Sequence, residues 1–319
     1  MPEAGAHGKS VTIDGHRLAI THRDKLLFPG TGLTKGDLID YYDRIAPILV
    51  PHLADNPVSL QRFPDGLDGE GFYQKDAPTY FPDWIPRVRF PRREGGHFLA
   101  PRIDSRAALV YLANQAMITP HRYLSPADDL EHPDRLIFDL DPAEGREEDA
   151  RVRRAALDLR DLLAELSITP GVQTTGSRGF HVVVPLDGGE GFDTVRGFAR
   201  DVARVLVRRH PARYTLAQRK AQRRGRLFLD VLRNAYGATA VAPYAVRARE
   251  GAPVATPLSW SEVERGAAPR DWTMRNLLRR LGQKADPWRE QGARRFRLDA
   301  HHQALAALLD REAPAEEEG

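Results

Sequence analysis

Cysteine is absent from the 319 residues of this chain. Its absence excludes a disulfide framework, a cysteine-ligated zinc site and a thiol nucleophile. No apolar run approaches the roughly 18 positions that a membrane-spanning helix needs. The opening segment, MPEAGAHGKS, also lacks the apolar stretch of a secretory signal peptide. These absences predict a cytoplasmic protein without membrane contact.

Acidic residues are missing from one long segment. The chain has 47 Lys and Arg against 44 Asp and Glu, a formal net charge of only +3. Between Val202 and Leu229 there is no acid, but nine cations occur there: Arg204, Arg208, Arg209, Arg213, Arg219, Lys220, Arg223, Arg224 and Arg226. A local basic stripe in a chain of modest net charge indicates a face that binds a polyanion. The alternative is a solvated helix face.

Helical and strand-like patterns alternate along the chain, which predicts a mixed α/β class with hairpins. An Asp14-Gly15 turn predicts a hairpin within VTIDGHRLAIT. Thr34 followed by Asp37 predicts a capping box and a helix that reaches about Leu53. Further helices are predicted over 105–117, 147–166, 192–210, 273–281 and 299–310. Strands are predicted in RLIFDLDP, VQTTGSRGFHVVVPL, RLFLDVL and TAVAPYAV.

The pattern predicts one body with two lobes. We expect a disordered start over 1–9, a single two-lobed domain over 10–311 and an acidic tail over 312–319. The catalytic core is expected at about 130–250.

Two carboxylates end a short apolar strand. Residues two apart in a strand share a face, so Ile137, Asp139 and Asp141 point the same way. Carboxylates this close repel each other unless a cation offsets them, so their removal is expected to leave the metal-free protein as stable or more stable. Asp230 repeats the pattern after Leu227-Phe228-Leu229. Three such carboxylates are typical of a two-metal site, and turn-forming aspartates are the alternative.

A glycine-bounded turn follows in the sequence TTGSRGFH, residues 174–181. Gly176 and Gly179 permit a positive φ and a close approach of the backbone. Amides, hydroxyls and Arg178 in such a turn can hold phosphate, and His181 starts the next strand. The alternative is an ordinary hairpin turn with a surface arginine.

The order of these motifs resembles that of a known family. FDLDP precedes TTGSRGFHVVVPL, FLDVLRNA and VAPYAVRARE, and the earlier chain contains HRDKLLFPGTGLTKGDLIDYY and GFYQKDAPTYFPDW. The combination is similar to the archaeo-eukaryotic primase superfamily, and within it to the polymerase domain of the bacterial end-joining ligase D. The resemblance covers about 22–281. It implies a primase–polymerase fold with an RRM-like catalytic core and an N-terminal α/β lobe.

The resemblance also implies a role for each matching residue. Asp139, Asp141 and Asp230 match the metal-binding triad. The incoming nucleotide would be bound by Thr175, Ser177, Arg178, His181, Arg247, His121, Phe72, Tyr73 and Arg62. Lys25 and Lys35 match residues that grip a downstream 5′-phosphate, and Arg223 and Arg233 are further candidates for DNA contact. Gln61 stands where Lys is expected, Tyr73 where Phe is familiar, Arg178 where Lys is common and Arg233 where Gln is common. These departures put the nucleotide preference in doubt.

The implied enzyme is a DNA-directed nucleotidyltransferase of the polymerase or primase type. It would add ribo- or deoxynucleotides to 3′ ends at gaps and breaks in non-homologous end joining, with two Mn²⁺ or Mg²⁺ ions. The implied partners are gapped or recessed DNA ends with a 5′-phosphate, Ku and an ATP-dependent DNA ligase, in a nucleoid-associated setting. Two alternatives are a stand-alone primase–polymerase and a non-catalytic module that binds DNA ends.

Overall fold

A computed structural model describes residues 9–142, 147–289 and 294–312 of the chain. The contacts divide the chain into two units, each assembled from several segments. The first unit runs through Asp128 and adds Thr239–Thr256 and Trp272–Lys284. The second takes Asp129–Ala238, Pro257–Asp271 and the chain from Ala285 onward. Of the start predicted to be disordered over 1–9, residues 1–8 lie outside the described residues, whereas Lys9 begins a strand. Of the predicted tail over 312–319, only Glu312 is described.

Local signals determine the start of the first unit. Strands β1 (Lys9–Ile13) and β2 (His16–Ile20) pair antiparallel across Asp14 and Gly15, which have φ of 49° and 79°. Two consecutive positive φ values are typical of the tight turn that matches the twist of a hairpin. The predicted hairpin is therefore confirmed.

The predicted capping box begins the first long helix, α1 (Lys35–Leu49). The Thr34 hydroxyl accepts from the Asp37 amide at 3.2 Å, and the Asp37 carboxylate accepts from the Thr34 amide at 2.7 Å. Two amides of the first turn thus gain partners that the helix itself cannot supply. The apolar face of α1, which includes Tyr42 and Ile45, is fully buried in the core of this unit.

The first unit is completed by short strands and two helices. They are β3 (Leu26–Phe28), β4 (Leu33–Thr34), β5 (Val58–Arg62), β6 (Phe72–Gln74), β7 (Arg87–Pro91), β8 (His97–Pro101), α2 (Arg106–Asn114) and β9 (Met117–Tyr123), with β15 (Thr239–Val241) and α7 (Leu277–Leu281) from later in the chain. Four strands form an antiparallel sheet in the order β15–β9–β5–β6. Strand β6 therefore lies at an edge of this sheet.

The second unit contains a six-stranded mixed sheet in the order β13–β14–β10–β12–β11–β16. Its elements are β10 (Arg135–Asp141), α3 (Glu147–Glu165), β11 (Gly171–Thr174), β12 (Phe180–Pro185), α4 (Phe192–Arg209), β13 (Tyr214–Thr215), α5 (Lys220–Arg223), β14 (Leu227–Asp230), β16 (Pro257–Leu258), α6 (Trp260–Glu264) and α8 (Asp299–Arg311). All pairs are antiparallel except β13 with β14. The predicted mixed α/β class is confirmed.

Part of the segment expected to form the catalytic core, about 130–250, does not belong to the second unit. Strand β15 pairs with β9, so Thr239–Thr256 belongs to the first unit rather than to the sheet with Asp139. This pairing joins strands more than a hundred residues apart, so no local sequence pattern predicts it. No helix within the described ranges is long and apolar enough to span a membrane.

Candidate active site

The central strands of the second unit bring three predicted site residues into one row. On β10, Asp139 lies directly opposite His181 of β12 on one side and Asp230 of β14 on the other. Residues directly opposite each other in neighbouring strands project from the same face of the sheet. Phe138 and Leu140 alternate with Asp139 and are buried on the opposite face. The pairing of the three strands thus brings side chains from motifs far apart in the sequence into one cluster.

Asp139 is a buried carboxylate held by two basic side chains. Its side chain forms an ion pair with Arg233, and its Oδ1 lies 3.5 Å from His181 Nε2. Burial alone would raise the pKa of Asp139, but His181 and Arg233 outweigh burial and hold this pKa well below its usual range. Asp139 is therefore ionised at neutral pH and favours a positive charge beside it.

Asp230 has the opposite electrostatic character. Burial and the facing Asp139 raise its pKa, although the Leu232 amide donates to its Oδ1 at 2.7 Å and lowers it in part. The facing carboxylate of Asp139 thus adds to the cost of ionising Asp230, whereas the lowered pKa of Asp139 comes from His181 and Arg233. A divalent cation between them would relieve this repulsion.

Asp141 lies two residues beyond Asp139 in β10, where its backbone is opposite Phe228. Its side chain lies outside the described part of the structure. Among the described side chains, no group of three or more His, Asp or Glu is arranged as a metal site. The third member of the predicted triad thus stays an expectation from the sequence.

The glycine-bounded turn lies between β11 and β12, beside the row. Thr175 closes this turn, since its hydroxyl oxygen accepts from the amides of Ser177 and Gly179 at 3.3 and 3.2 Å. Arg270 donates to the Ser177 carbonyl at 2.6 Å from outside the turn. Two amides expected to face phosphate therefore already have a partner within the turn. The roles of the Ser177 hydroxyl and the Arg178 side chain as phosphate donors stay predictions.

The two arginines predicted to contact DNA are both engaged within the second unit. Arg233 pairs with Asp139, as described above. The Arg223 guanidinium donates to the carbonyls of Ala217 and Gln218 and lies 4.3 Å from the centre of the Phe228 ring. Both side chains thus have a structural role in this unit, and their contact with DNA stays a prediction.

The first unit presents its predicted nucleotide-binding residues on the β5–β6–β9 part of its sheet. Phe72 and Tyr73 on the edge strand β6 are exposed by 44% and 54%. Arg62 is buried, donates to the Gln115 carbonyl and has its guanidinium carbon 5.5 Å from the Phe72 ring centre. The His121 ring meets Tyr73 edge-on at 5.2 Å. Arg62 therefore packs against Phe72, whereas Tyr73, on the opposite face of the strand, packs against His121.

Arg247 also belongs to the first unit. Its amide donates to the Pro253 carbonyl at 2.7 Å, and its charge acts on the buried Tyr42 hydroxyl. Burial raises the pKa of Tyr42 above its ordinary value, and Arg247 lowers it in part. Any contact of Arg247 with phosphate stays a prediction.

Two lysines of the first unit form a separate basic site. The Lys25 ammonium pairs with Asp65 at 2.8 Å, and the buried Lys35 ammonium donates to the Thr21 hydroxyl at 3.2 Å. Burial, and then the charge of Lys25, lowers the pKa of Lys35 to about 8. The positive charge of Lys25 makes the charged form of Lys35 less favourable, and a bound anion would offset this repulsion.

Known proteins resemble this chain over most of its length. The model of the LigD primase–polymerase domain family matches residues 34–288. The multifunctional non-homologous end joining protein LigD of Pseudomonas aeruginosa is 35% identical over 283 residues, which are 88% of this chain and 34% of that protein. The chain belongs to the LigD primase–polymerase domain family. Membership implies a metal-dependent nucleotidyltransferase. The two alternatives, a stand-alone primase–polymerase and a non-catalytic module that binds DNA ends, are not favoured.

Further members and a solved structure agree with this assignment. The bifunctional non-homologous end joining protein LigD of Bacillus subtilis is 29% identical over 92% of this chain and 46% of that protein. The polymerase domain of Mycobacterium tuberculosis ligase D, solved in complex with DNA, superposes with a TM-score of 0.81 at 32% identity. The match covers 88% of this chain and 99% of that domain. The predicted primase–polymerase fold is confirmed, and the chain spans about a third to a half of these LigD proteins.

Two residues near the candidate active site of this chain, Asn234 and Gln173, were not predicted from the sequence. Asn234 is fully buried and exchanges two hydrogen bonds with the backbone of Ile137, at 2.8 and 2.7 Å, which fixes the segment carrying Arg233 beside β10. Gln173 lies opposite His181 and extends the polar row onto β11. The sequence does carry a signal for Gln173, because Gln173 and His181 lie at equal distances from Ser177 at the centre of the predicted hairpin.

Proposed function

We propose that this chain adds ribo- or deoxynucleotides to the 3′-hydroxyl of DNA at gaps and breaks during end joining. The observation that carries the proposal is the row of Asp230, Asp139 and His181 at the centre of the sheet. Opposed carboxylates beside a glycine-bounded turn suit a metal-bound triphosphate. Family membership supports the same chemistry.

The donor set fits a pair of divalent cations, Mn²⁺ or Mg²⁺. Asp139 and Asp230 would hold them together with Asp141, since carboxylate oxygens are the ligands that such hard ions prefer. The ion pair between Asp139 and Arg233 supports this assignment, because it shows that the position accepts positive charge. When bound, the ions would activate the 3′-oxygen and offset the charge of the leaving pyrophosphate.

Several of the predicted side chains would contact the incoming NTP or dNTP. In the second unit, Ser177, Arg178 and His181 would donate to the phosphates, and Thr175 would hold the turn in shape. In the first unit, the exposed rings of Phe72 and Tyr73 would stack on bases, since an aromatic face accepts any base.

Three more residues of the first unit would take part in nucleotide binding. His121 would lie near the sugar, Arg247 would contact phosphate, and Arg62 would act through Phe72. Arg223 and Arg233 are further candidates for contact with the DNA strand once nucleotide and metal are present.

Lys25 and Lys35 would bind the 5′-phosphate at the far side of a gap. A terminal phosphate carries more charge than an internal one, so two adjacent ammonium groups select a recessed or gapped end over continuous duplex. The lowered pKa of Lys35 supports this role, because a second anion would relieve the cost that Lys35 carries in the DNA-free protein.

The cellular setting follows from the family. Relatives are named as non-homologous end joining proteins. We infer that this chain works on nucleoid DNA in the cytoplasm with an ATP-dependent DNA ligase that seals the product, and with Ku at the broken end.

A primer-extension experiment tests the proposed function. Gapped DNA with a 5′-phosphate is incubated with Mn²⁺ and either NTPs or dNTPs, using the parent chain and Asp230→Asn. We expect template-directed addition by the parent and none by the variant. Synthesis that starts on unprimed single strands would identify a primase instead. Binding of DNA ends without any addition would identify a non-catalytic module.

A further inference from the structure

The polar row of the second unit continues one strand further than the proposed active site. Gln173 on β11 lies directly opposite His181, which lies directly opposite Asp139. Gln173, His181 and Asp139 are exposed by 2%, 2% and 5%. Their neighbours in the same strands, such as Val172 and Val182, are buried apolar residues. A primary amide in such surroundings is costly unless it makes hydrogen bonds, so the contacts of Gln173 need an explanation.

The direction of the hydrogen bonds follows from Asp139. An ionised carboxylate can only accept, so the His181 Nε2 that faces it at 3.5 Å interacts favourably with it when this nitrogen carries a hydrogen. In the uncharged ring, Nδ1 then has no hydrogen and can only accept. The Gln173 Nε2 lies 3.3 Å from His181 Nδ1 and is the group that can donate to it.

We propose that Gln173 is a positioning residue that fixes the ring rotation and the tautomer of His181, so that a protonated Nε2 faces the active site. The proposal rests on the proposed role of His181 in binding the nucleotide phosphates. By donating to Nδ1, Gln173 holds the ring in one rotation and one tautomer, with the Nε2 hydrogen directed toward Asp139. That hydrogen is the one a phosphate oxygen would accept from His181.

Without the amide donor, the ring loses the contact that distinguishes its two nitrogens. A rotation of half a turn about the Cβ–Cγ bond would then place Cδ2 where Nδ1 now lies and Cε1 where Nε2 now lies. The hydrogen that faces the nucleotide would no longer be fixed in place before binding. Fixing such a donor beforehand improves binding because less order must be created when the ligand arrives.

The parent protein alone supplies the first test. In the metal-free, nucleotide-free chain, long-range ¹H–¹⁵N spectra distinguish the two nitrogens of an uncharged histidine ring. His181→Ala identifies the signals. We expect Nε2 to carry the hydrogen and Nδ1 to show the shift of a hydrogen-bond acceptor. A hydrogen on Nδ1 would overturn the proposal, whatever the outcome of primer extension.

Gln173→Met tests the positioning role, because methionine keeps the length of glutamine and suits a buried strand but cannot donate. We expect the Nδ1 signal to move toward that of a nitrogen without a donor. The dissociation constant of a non-hydrolysable nucleotide, measured by direct titration with Mn²⁺, should rise about two- to tenfold. The KM for nucleotide should rise in parallel, with less change in kcat, and affinity for DNA ends should not change.

Two controls separate positioning from a general loss of packing. Val172→Ala destabilises the same strand from its other face and should leave the His181 signals and nucleotide affinity as in the parent. Gln173→Met introduced into His181→Ala should cause no further loss of nucleotide affinity, because the two residues act as one unit. An additive loss, or equal effects of Gln173→Met and Val172→Ala, would overturn the proposal.

Discussion

Asp139 and Asp230 lie directly opposite each other on the antiparallel strands β10 and β14. They differ in what surrounds them. Asp139 has Arg233 and His181 as neighbours and a lowered pKa, whereas Asp230 is buried against Asp139 with a raised pKa. One carboxylate is therefore stabilised by its surroundings and the other is destabilised. From the sequence we expected that removing Asp139 and Asp141 would leave the metal-free protein as stable or more stable. For Asp139 the ion pair with Arg233 favours the opposite outcome.

The two carboxylates should respond in opposite ways when they are neutralised. Asp139→Asn should lower the free energy of unfolding of the metal-free protein by about 1–3 kcal/mol at pH 7, because hydrogen bonds to a charged group are lost. Asp230→Asn should leave it unchanged or raise it, since asparagine can still accept from Leu232. Urea unfolding measures both. Equal losses in the two variants would contradict the asymmetry.

The same pair predicts a pH dependence. A carboxylate with a lowered pKa in the folded state contributes stability above its unfolded pKa, and this contribution is lost as the pH falls. The difference between parent and Asp139→Asn should thus be constant near neutral pH and shrink below about pH 4, the ordinary value for aspartate. A difference that persists unchanged to pH 3 would exclude ionised Asp139 as its source.

Arg233 should compete with a metal ion for Asp139. Arg233→Gln removes the resident guanidinium, so the affinity for Mn²⁺ should rise about three- to tenfold, a modest gain because Arg233 is partly exposed and screened by water. Electron paramagnetic resonance of free Mn²⁺ measures this without nucleotide or DNA. Arg196→Gln, which removes the same charge from the exposed side of α4, is the control. Equal affinity in parent and Arg233→Gln would show that the guanidinium and the metal do not share Asp139.

Recognition of a 5′-phosphate should weaken at alkaline pH. Lys35, whose pKa is lowered to about 8, loses its charge as the pH rises from 7 to 9. The preference for gapped DNA with a 5′-phosphate over the same DNA with a 5′-hydroxyl should fall over that interval at constant salt. Fluorescence anisotropy provides both affinities. Lys35→Arg stays charged, and a preference that declines equally in this variant would assign the effect to another group.

Asp65 should limit the affinity of Lys25 for phosphate. Their ion pair at 2.8 Å already offsets part of the Lys25 charge that another anion would use. Asp65→Asn should tighten binding of 5′-phosphate ends about two- to fivefold, the value of an exposed ion pair. Asp40→Asn, which frees Arg23 from an equally exposed pair, is the control. Equal gains for 5′-phosphate and 5′-hydroxyl ends would reveal only a change in net charge.

Local structure was predictable from the sequence because its causes lie within a few residues. The turn at Asp14-Gly15 needs two residues that tolerate a positive φ, and the capping box needs Thr34 three positions before Asp37. The hairpin around Ser177 followed in the same way from glycines between two apolar runs. The motif order also identified the family. For these features the sequence by itself was sufficient.

Tertiary structure alone decided how the site is assembled. Asp139 meets Asp230 and Arg233 through a strand register between segments about ninety residues apart, and register depends on the packing of the whole sheet. Burial of Lys35, and with it the lowered pKa, depends on the loop that carries Thr21 folding over the start of α1. A sequence names the groups that can ionise, but their charges and partners depend on desolvation and distance, which exist only in the folded chain.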